Sequence, residues 1–330
     1  MNIQTNNKKG AALLISLGVI IILSLVVGSL ALEMNVESML ISNKRKIFRS
    51  EILARSGIEY AKAIIEQQNR ANQLEIMDVD SDEIEFLKNS LYVKRGLSIA
   101  SALTITNMGS INFTIKSAED GRNINLLDRS QWIEIFEMAN IPSTEWDYLI
   151  DSLKDWIDEG DTHRLNGAES DDPYYQEKGY PVRNGPLESI EELLLIKYWN
   201  EDFLYGKQAD EESDSIYGIS DLLTVWGDGK VNLNTATTNV LLSYAEYEDW
   251  ELESVLNIRN GLDGIPNTLD DGIKSIEDVN ADPNKFKLYS NFLKVSSVGK
   301  CGNKEFEIKC IMHVDGARPS IVYWNEGLKN

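Results

Sequence analysis

The sequence has few of the residues that most often hold metals or act as nucleophiles. Among 330 residues there are two histidines, His163 and His313, and two cysteines, Cys301 and Cys310. His163 has no cysteine or second histidine nearby, and His313 has only Cys310, three residues before it, which argues against a zinc site or a histidine-based catalytic group. The cysteines lie in a predicted hairpin in which Cys310 faces residues near Leu293–Val295, not Cys301. We therefore expect both thiols to be unpaired.

Basic side chains are also scarce, with 32 Lys and Arg against 53 Asp and Glu and a net charge of −21. Such a surface repels phosphate backbones, which disfavours nucleic-acid binding. The string VNLNTATTNVL (231–241) resembles the opening of helix-hairpin-helix DNA-binding proteins, but acidic residues follow where that motif needs glycines. Acid pairs such as Asp155 and Asp158 could serve an enzyme, yet no Gly-x-Ser-x-Gly or phosphate-binding glycine loop is present. We expect no enzymatic activity.

Charged side chains are missing altogether between Ala11 and Ala31. About 20 apolar residues suffice to cross a bilayer as a helix, whereas a cleaved secretory signal has an apolar region of only about 7–15 residues. Lys8 and Lys9 precede the run, so the amino end should stay in the cytoplasm while the bulk of the chain crosses. A plain single-span anchor fits these features as well as a processed one.

The helix is predicted to continue beyond the membrane. Apolar residues recur at helical spacings after Glu33, and charged residues fill the other faces. One helix from Ala11 to about Arg70 is the simplest interpretation. An anchor followed by a separate helix is the alternative, with Gly57 as the internal breaker.

Two β-rich pairs flank a helical middle section. The first pair turns near Asn107–Ser110, the second occupies about Asn291–Val314, and Ser320–Trp324 could add an edge strand. This pattern predicts an α+β fold in which a long N-terminal helix packs on a small antiparallel sheet, with a large all-α domain inserted between the strands. Two consecutive α+β domains are the alternative. The expected divisions are 1–10, a leader; 11–32, the transmembrane part; 33–118, the periplasmic helix and first hairpin; 119–288, the insert; and 289–330, the final strands.

The predicted insert contains a weak internal echo. EDGRNINLLDRSQWIEIF (119–136) and GDGKVNLNTATTNVLLSY (227–244) each combine an acidic-Gly-basic turn, asparagines and a helix. Asn and Asp are favoured just before helices, where they accept hydrogen bonds from first-turn amides. We therefore interpret the Asn and Asp residues before these helices as capping residues.

Several strings resemble one family. Lys8-Lys9-Gly10 against the apolar run resembles the leader of type IV prepilins and pseudopilins. DWIDEGDTHRLNGAESDDPYY (155–175), PVRNGPLESIEELLLI (181–196) and GKVNLNTATTNVL (229–241) resemble, in this order, the type II secretion minor pseudopilin called protein K. The resemblance implies a pilin-like domain with a large helical insert. It also implies that prepilin peptidase cuts between Gly10 and Ala11 and that Ala11 is then N-methylated.

The resemblance assigns a meaning to Ile15. Most pilins and pseudopilins have a glutamate at the fifth mature position, thought to balance the amine of a neighbouring subunit. Counting from Ala11, that position is Ile15, as in the protein K family. A buried carboxylate without its partner would cost several kcal/mol. An apolar residue therefore indicates a subunit that never docks beneath another.

By resemblance, the protein is a minor pseudopilin at the tip of the periplasmic pseudopilus. It is expected to assemble with minor pseudopilins I and J and other pseudopilins, to initiate assembly, to touch cargo and to help export folded proteins. It would be a single-pass inner-membrane protein with its soluble domain in the periplasm. The alternative is a minor pilin-like subunit of a type IV pilus or DNA-uptake machine.

An acidic loop between two predicted helices is a candidate metal site. Its carboxylates repel one another unless they are solvated or bridged by a cation, and oxygen ligands suit Ca²⁺. The string lacks the spacing of an EF-hand. Protein K relatives are known for calcium in this region, and the matching positions are Asp158, Asp161, Glu169 and Asp172. The resemblance thus implies structural Ca²⁺; a plainly solvated loop is the alternative.

Overall fold

The structure is a computed structural model that describes residues 6–67, 82–209, 214–245, 247, 249–261, 264, 270–315 and 318–329. Helix α1 spans Asn6–Glu66, and α2 spans Asp82–Lys94. The prediction of one long helix that passes through Gly57 is confirmed; its predicted end near Arg70 lies outside the described residues. Up to Arg49 the described part of α1 is largely exposed. Beyond that point one face of α1 is buried. It is formed by Leu53, Ala54, Ile58, Ala61, Ile64 and Ile65.

The buried face of α1 covers a five-stranded antiparallel sheet. In their order across the sheet, its strands are β1 Ile99–Ile105, β2 Gly109–Ser117, β9 Phe292–Cys301, β10 Lys304–Asp315 and β11 Arg318–Leu328. Strands β2 and β9 are neighbours although a long segment separates them in sequence, and Ser117 pairs with Leu293. The predicted α+β architecture is therefore confirmed. The edge strand β11 extends well beyond the predicted 320–324.

Glycines bring α1 and β9 into close contact. A Cβ added at Gly299 would lie 2.0 Å from the Ser50 carbonyl oxygen, and one at Gly57 would lie 2.1 Å from Ser297 Oγ. The turn at Gly302 lies beside Lys46, nearer the apolar end of α1. Strand β9 therefore runs toward the apolar amino-terminal part of α1, which is called the stem below. Its beginning at Phe292, where the long middle segment joins, lies at the far end of the sheet.

The middle segment forms a second core. Its helices are α3 Arg129–Met138, α4 Trp146–Ile157, α5 Pro173–Lys178, α6 Glu201–Tyr205, α7 Thr238–Ala245 and α8 Asp249–Arg259, with 3₁₀ turns at Ile190–Leu195, Ser220–Leu222 and Ile276–Val279. Three two-residue strand pairs accompany them: β3 Arg122–Asn123 with β6 Leu223–Thr224, β4 Gly206–Lys207 with β5 Ile216–Tyr217, and β7 Val231–Asn232 with β8 Phe286–Lys287. The segment is thus mainly helical but not purely so.

The internal echo is a structural repeat, and its asparagines do not cap helices. In each copy an asparagine side chain hydrogen-bonds both the backbone N–H and the backbone C=O of one distant residue, an arrangement called a clamp below. Asn125 accepts from the Leu187 amide (2.8 Å) and donates to its carbonyl (3.0 Å). Asn234 does the same to Ile273, at 2.7 and 3.3 Å. Asp128 caps α3, so the capping interpretation is confirmed for this aspartate and is wrong for Asn125 and Asn234.

Buried charges join the two cores where the chain crosses between them. Glu119, which is 1% exposed, accepts hydrogen bonds from Lys287 Nζ (2.7 Å) and the Asn291 amide (2.7 Å). Lys287 also donates to Asp228 (2.9 Å). Gly227 lies so close that a Cβ there would be 2.4 Å from the Glu119 carboxylate. The joint is therefore fixed by ion pairs and close backbone approach.

Both cysteines lie in the sheet, buried and without a disulfide. Cys310 pairs in register with Val295, as predicted from the hairpin. Burial raises the pKa of the Cys310 thiol to about 12. The expectation of two unpaired thiols is confirmed.

Candidate functional site

The amino-terminal stem is the first candidate functional element. Of the described residues, one helix, 12–66, is long and apolar enough to span a membrane, and its most apolar part is not buried. Gly10 and Ala11 lie within α1. Ile15 is 68% exposed on the stem, where an apolar residue suits lipid or a neighbouring helix. Processing between Gly10 and Ala11 stays a prediction.

The acidic loop between α4 and α5 is the second. Near the middle of this loop, Arg164 joins two carboxylates through one guanidinium nitrogen. Arg164 Nη1 donates to Asp155 Oδ1 (2.6 Å) and to Asp158 Oδ2 (2.5 Å). The Arg164 amide donates to Asp155 as well, at 3.0 Å from Oδ2. Asp155 is fully buried, whereas Asp158 is 38% exposed. In the sequence analysis Asp155 appears with Asp158 as an acid pair but has no place among the predicted ligands.

Glu169 is the most unusual of the predicted ligands. Its side chain is buried, with 2% exposed, and neither carboxylate oxygen has a hydrogen-bond partner. Burial, together with the charges of Asp155, Asp158 and Asp161, raises the pKa of Glu169 to about 7. An unpartnered buried carboxylate is costly, and a bound cation would remove that cost.

The other predicted ligands differ in their surroundings. Asp172 caps α5 by accepting from the Tyr174 amide (2.9 Å), and its second oxygen accepts from Lys197 Nζ (2.7 Å). Although burial acts to raise it, these hydrogen bonds lower the pKa of Asp172. Asp161 is exposed. The structure therefore places the four residues in one loop region without gathering them around one point.

The loop fits calcium in chemistry more than in arrangement. Its donors are carboxylate oxygens, which Ca²⁺ prefers, and the unpartnered Glu169 fits a cation directly. Among the residues that the structure describes, however, no group of three or more His, Cys, Asp or Glu side chains is arranged to hold a metal ion. Asp158 and Asp172 already face Arg164 and Lys197. A cation would have to displace these partners to use both residues.

Comparisons with known proteins agree on one family. Residues 107–205 match the family described as type II secretion system (T2SS), protein K. The fold is similar to a chain in the crystal structure of the GspK-GspI-GspJ complex from the enterotoxigenic Escherichia coli type 2 secretion system. That match has a TM-score of 0.54 and 14% identity, and it covers 83% of this chain and 96% of that chain. No curated protein matches the sequence.

The family match contains the strings at 155–175 and 181–196 that carried the resemblance in the sequence. It therefore includes the acidic loop from Asp158 to Asp172. The similarity of fold extends over most of the chain. Together they support the resemblance that the sequence motifs indicated: residues 107–205 are similar to protein K of type II secretion, and the fold is similar to that of a chain in the GspK-GspI-GspJ complex.

Proposed function

We propose that this protein caps the tip of the periplasmic pseudopilus of a type II secretion system. There it initiates assembly and helps folded proteins cross the outer membrane. The observation that carries the proposal is the position of the insert. It joins the sheet where β2 ends at Ser117 and β9 begins at Phe292, away from the membrane stem.

Steric reasoning links that position to a cap. A helical filament repeats one contact, so every internal subunit must accept a neighbour above it. In a pilin-like subunit the stem points to the membrane, and the next subunit in the direction of growth lies over the opposite end. The insert, with its own core, would occupy that place. Ile15 agrees with this position, since a tip subunit has no amine above it to neutralise.

The proposed partners follow from the same position. The subunits below it would be minor pseudopilins I and J, consistent with the complex in which the similar fold occurs. Before assembly the protein is held in the inner membrane by α1, with the rest in the periplasm. Prepilin peptidase removes residues 1–10 and methylates Ala11. The secreted cargo would approach the exposed insert.

The tip assignment is tested by labelling. An epitope added after Asn330 can be located by immunogold electron microscopy on pseudopili overproduced in cells, beside a tagged major pseudopilin. We expect label at one end of each fibre, against label along the length for the major subunit. Label at intermediate positions would remove the cap assignment.

Leader processing is tested separately. Gly10→Val should leave the precursor uncut and the Ala11 amine unmethylated, because the peptidase needs the small residue at its cleavage site. Gly18→Val is a matched control in the same helix, where nothing lies within 4 Å of the added Cβ. Mass spectrometry of the amino terminus distinguishes the two forms. Normal cleavage of the Gly10 variant would mean that this site is not the leader boundary.

We also propose that the acidic loop binds structural Ca²⁺ through Glu169, with contributions from Asp158, Asp161 and Asp172. The buried, unpartnered carboxylate of Glu169 is the observation that supports it. Ca²⁺ added to the metal-depleted full chain in detergent should raise its melting temperature, because a ligand that binds only the folded state stabilises it. No shift at millimolar Ca²⁺ would rule the site out.

A further inference from the structure

The guanidinium of Arg164 occupies the charged centre of the acidic loop. One nitrogen, Nη1, lies within 2.6 Å of both Asp155 Oδ1 and Asp158 Oδ2. A single donor nitrogen shared by two carboxylates resembles a bridging cation in charge and position more than a bidentate arginine pair, which uses two nitrogens. The oxygens that a metal ion would bridge are thus already bridged by the protein.

This internal bridge leaves the loop incompletely neutralised. Glu169 lies in the same loop region as Asp155, Asp158, Asp161 and Asp171, whose charges add to burial in raising the pKa of Glu169. Arg164 supplies one positive charge to two of these carboxylates, and the two oxygens of Glu169 have no partner. A divalent cation carries twice the charge and accepts six to eight oxygen ligands. It could satisfy Glu169 together with the oxygens that Arg164 now holds.

We propose that Arg164 is the internal counter-cation of the metal-free loop and competes with Ca²⁺ for the carboxylates of Asp155 and Asp158. Binding of the metal releases the guanidinium to solvent and adds Asp155 to the ligands. The inference rests on the calcium binding proposed above.

The surroundings of Arg164 allow that exchange. Its side chain is 41% exposed, so the guanidinium can reach water without rebuilding the core. The buried Asp155 would keep the hydrogen bond from the Arg164 amide and exchange only the side-chain contact. Gly167 has no side chain to interfere: a Cβ there would lie 1.8 Å from Asp155 Oδ2. Arg164 therefore keeps the loop folded when Ca²⁺ is scarce and weakens the affinity for Ca²⁺.

The test is Arg164→Gln in the metal-depleted full chain in detergent, with Ca²⁺ itself as the probe. Calorimetric titration should give a Kd for Ca²⁺ at least ~10-fold lower than that of the wild type, because a competing positive charge near the metal is gone. Without Ca²⁺ the variant should melt at a lower temperature than the wild type, and saturating Ca²⁺ should close that gap. A merely structural arginine would lower the melting temperature without tightening Ca²⁺ binding.

Arg183→Gln is the matched control. Arg183 is also a half-exposed arginine that pairs with two carboxylates, Glu188 and Glu192, outside the acidic loop. Its Kd for Ca²⁺ should equal the wild-type value. Arg164→Lys, which retains the charge, should give an intermediate Kd and provides the measurement if Arg164→Gln folds only with Ca²⁺.

The outcomes separate this inference from the one beneath it. If the wild type binds Ca²⁺ and Arg164→Gln binds it equally or more weakly, the counter-cation role is wrong and the calcium site stands. If neither the wild type nor the variants bind Ca²⁺ at millimolar concentration, the calcium site is wrong and the competition falls with it. Refolding of an unfolded Arg164→Gln by Ca²⁺ would support the exchange.

Discussion

The sheet body and the insert are held together in different ways. Under α1, the sheet core is apolar, and its buried polar residues are mostly serines such as Ser50 and Ser297. The insert, with its joint to the sheet, buries amides and charges as well, namely Glu119, Arg122, Asn232, Asn234, Asp155, Glu169 and Lys287. The first body depends on close apolar packing. The second adds buried polar groups to its own apolar core, and some of these find partners far along the chain, as Glu119 does in Lys287 and Asn234 in Ile273.

The largest expected effect tests the packing of the sheet body. Gly299→Ala should destabilise the protein by about 3 kcal/mol, because overpacking a tight contact forces the backbone to move. The added Cβ would lie 2.0 Å from the Ser50 carbonyl oxygen and 2.5 Å from the Ala54 amide nitrogen, and neither backbone atom can swing away. Urea denaturation of the full chain in detergent, followed by tryptophan fluorescence, measures the change.

Gly327→Ala is the control in the same sheet. Nothing lies within 4 Å of a Cβ at Gly327, so the midpoint of denaturation should stay near the wild-type value. Equal effects of the two substitutions would show that strand entropy, and not the approach of α1 to β9, makes Gly299 necessary.

A smaller effect is expected from a clamp in the insert. Asn234→Ala should cost about 2 kcal/mol, because it leaves buried backbone groups without partners. Besides the Ile273 carbonyl, the side-chain nitrogen Nδ2 of Asn234 donates to the backbone carbonyls of Arg95 (2.7 Å) and Leu288 (3.1 Å). It therefore joins three segments, whereas its counterpart Asn125 clamps the Leu187 peptide alone.

Asn125→Ala should accordingly cost less than Asn234→Ala, and Asn257→Ala on the exposed face of α8 should cost nothing measurable. The same urea denaturation ranks the three variants. If Asn234→Ala proved neutral, the insert would be held by its apolar core as the sheet body is, and the contrast between the two bodies would be lost.

The contrast also decides what the sequence could predict. The sheet body follows from local rules: alternation and turn residues mark the hairpins, and helical spacing marks α1. These signals placed Cys310 opposite Val295 correctly. The prediction of β11 was too short because its exposed residues alternate weakly.

The clamps could not be predicted from local pattern, because an asparagine before a helix is most simply interpreted as a cap. Their partners lie 62 and 39 residues away. One signal was available, however. Leu187–Leu193 reads LESIEEL and Ile273–Val279 reads IKSIEDV, so each clamped peptide opens a similar string. Aligning these strings with the two asparagine segments would have revealed the repeat.

In the acidic loop, sequence reasoning located the carboxylates but not the charge that opposes them. Arg164 stands in the middle of the string that resembles protein K, and nothing in its spacing shows that it reaches both Asp155 and Asp158. The burial of Glu169 was equally hidden, because a polar loop predicts exposure. Burial and long-range pairing are properties of the folded chain, and they decide which acid is unusual.

The last expected effect depends on pH and concerns that acid; it sharpens the contrast within the insert, between polar groups with partners and one without. The folded-state pKa of Glu169, about 7, lies above the unfolded value near 4.5, because burial and neighbouring carboxylates disfavour its charge. Its contribution to stability is therefore fully present below about pH 4.5 and is lost as the pH rises through about 7.

In metal-depleted buffer, the melting temperature of the wild type should fall relative to Glu169→Gln between about pH 5 and pH 8. Glu177→Gln, on the exposed face of α5, should follow the wild type. Parallel pH profiles for the wild type and Glu169→Gln would mean that Glu169 ionises without cost. The buried carboxylate would then need no cation, and the acidic loop would be held by Arg164 and Lys197 alone.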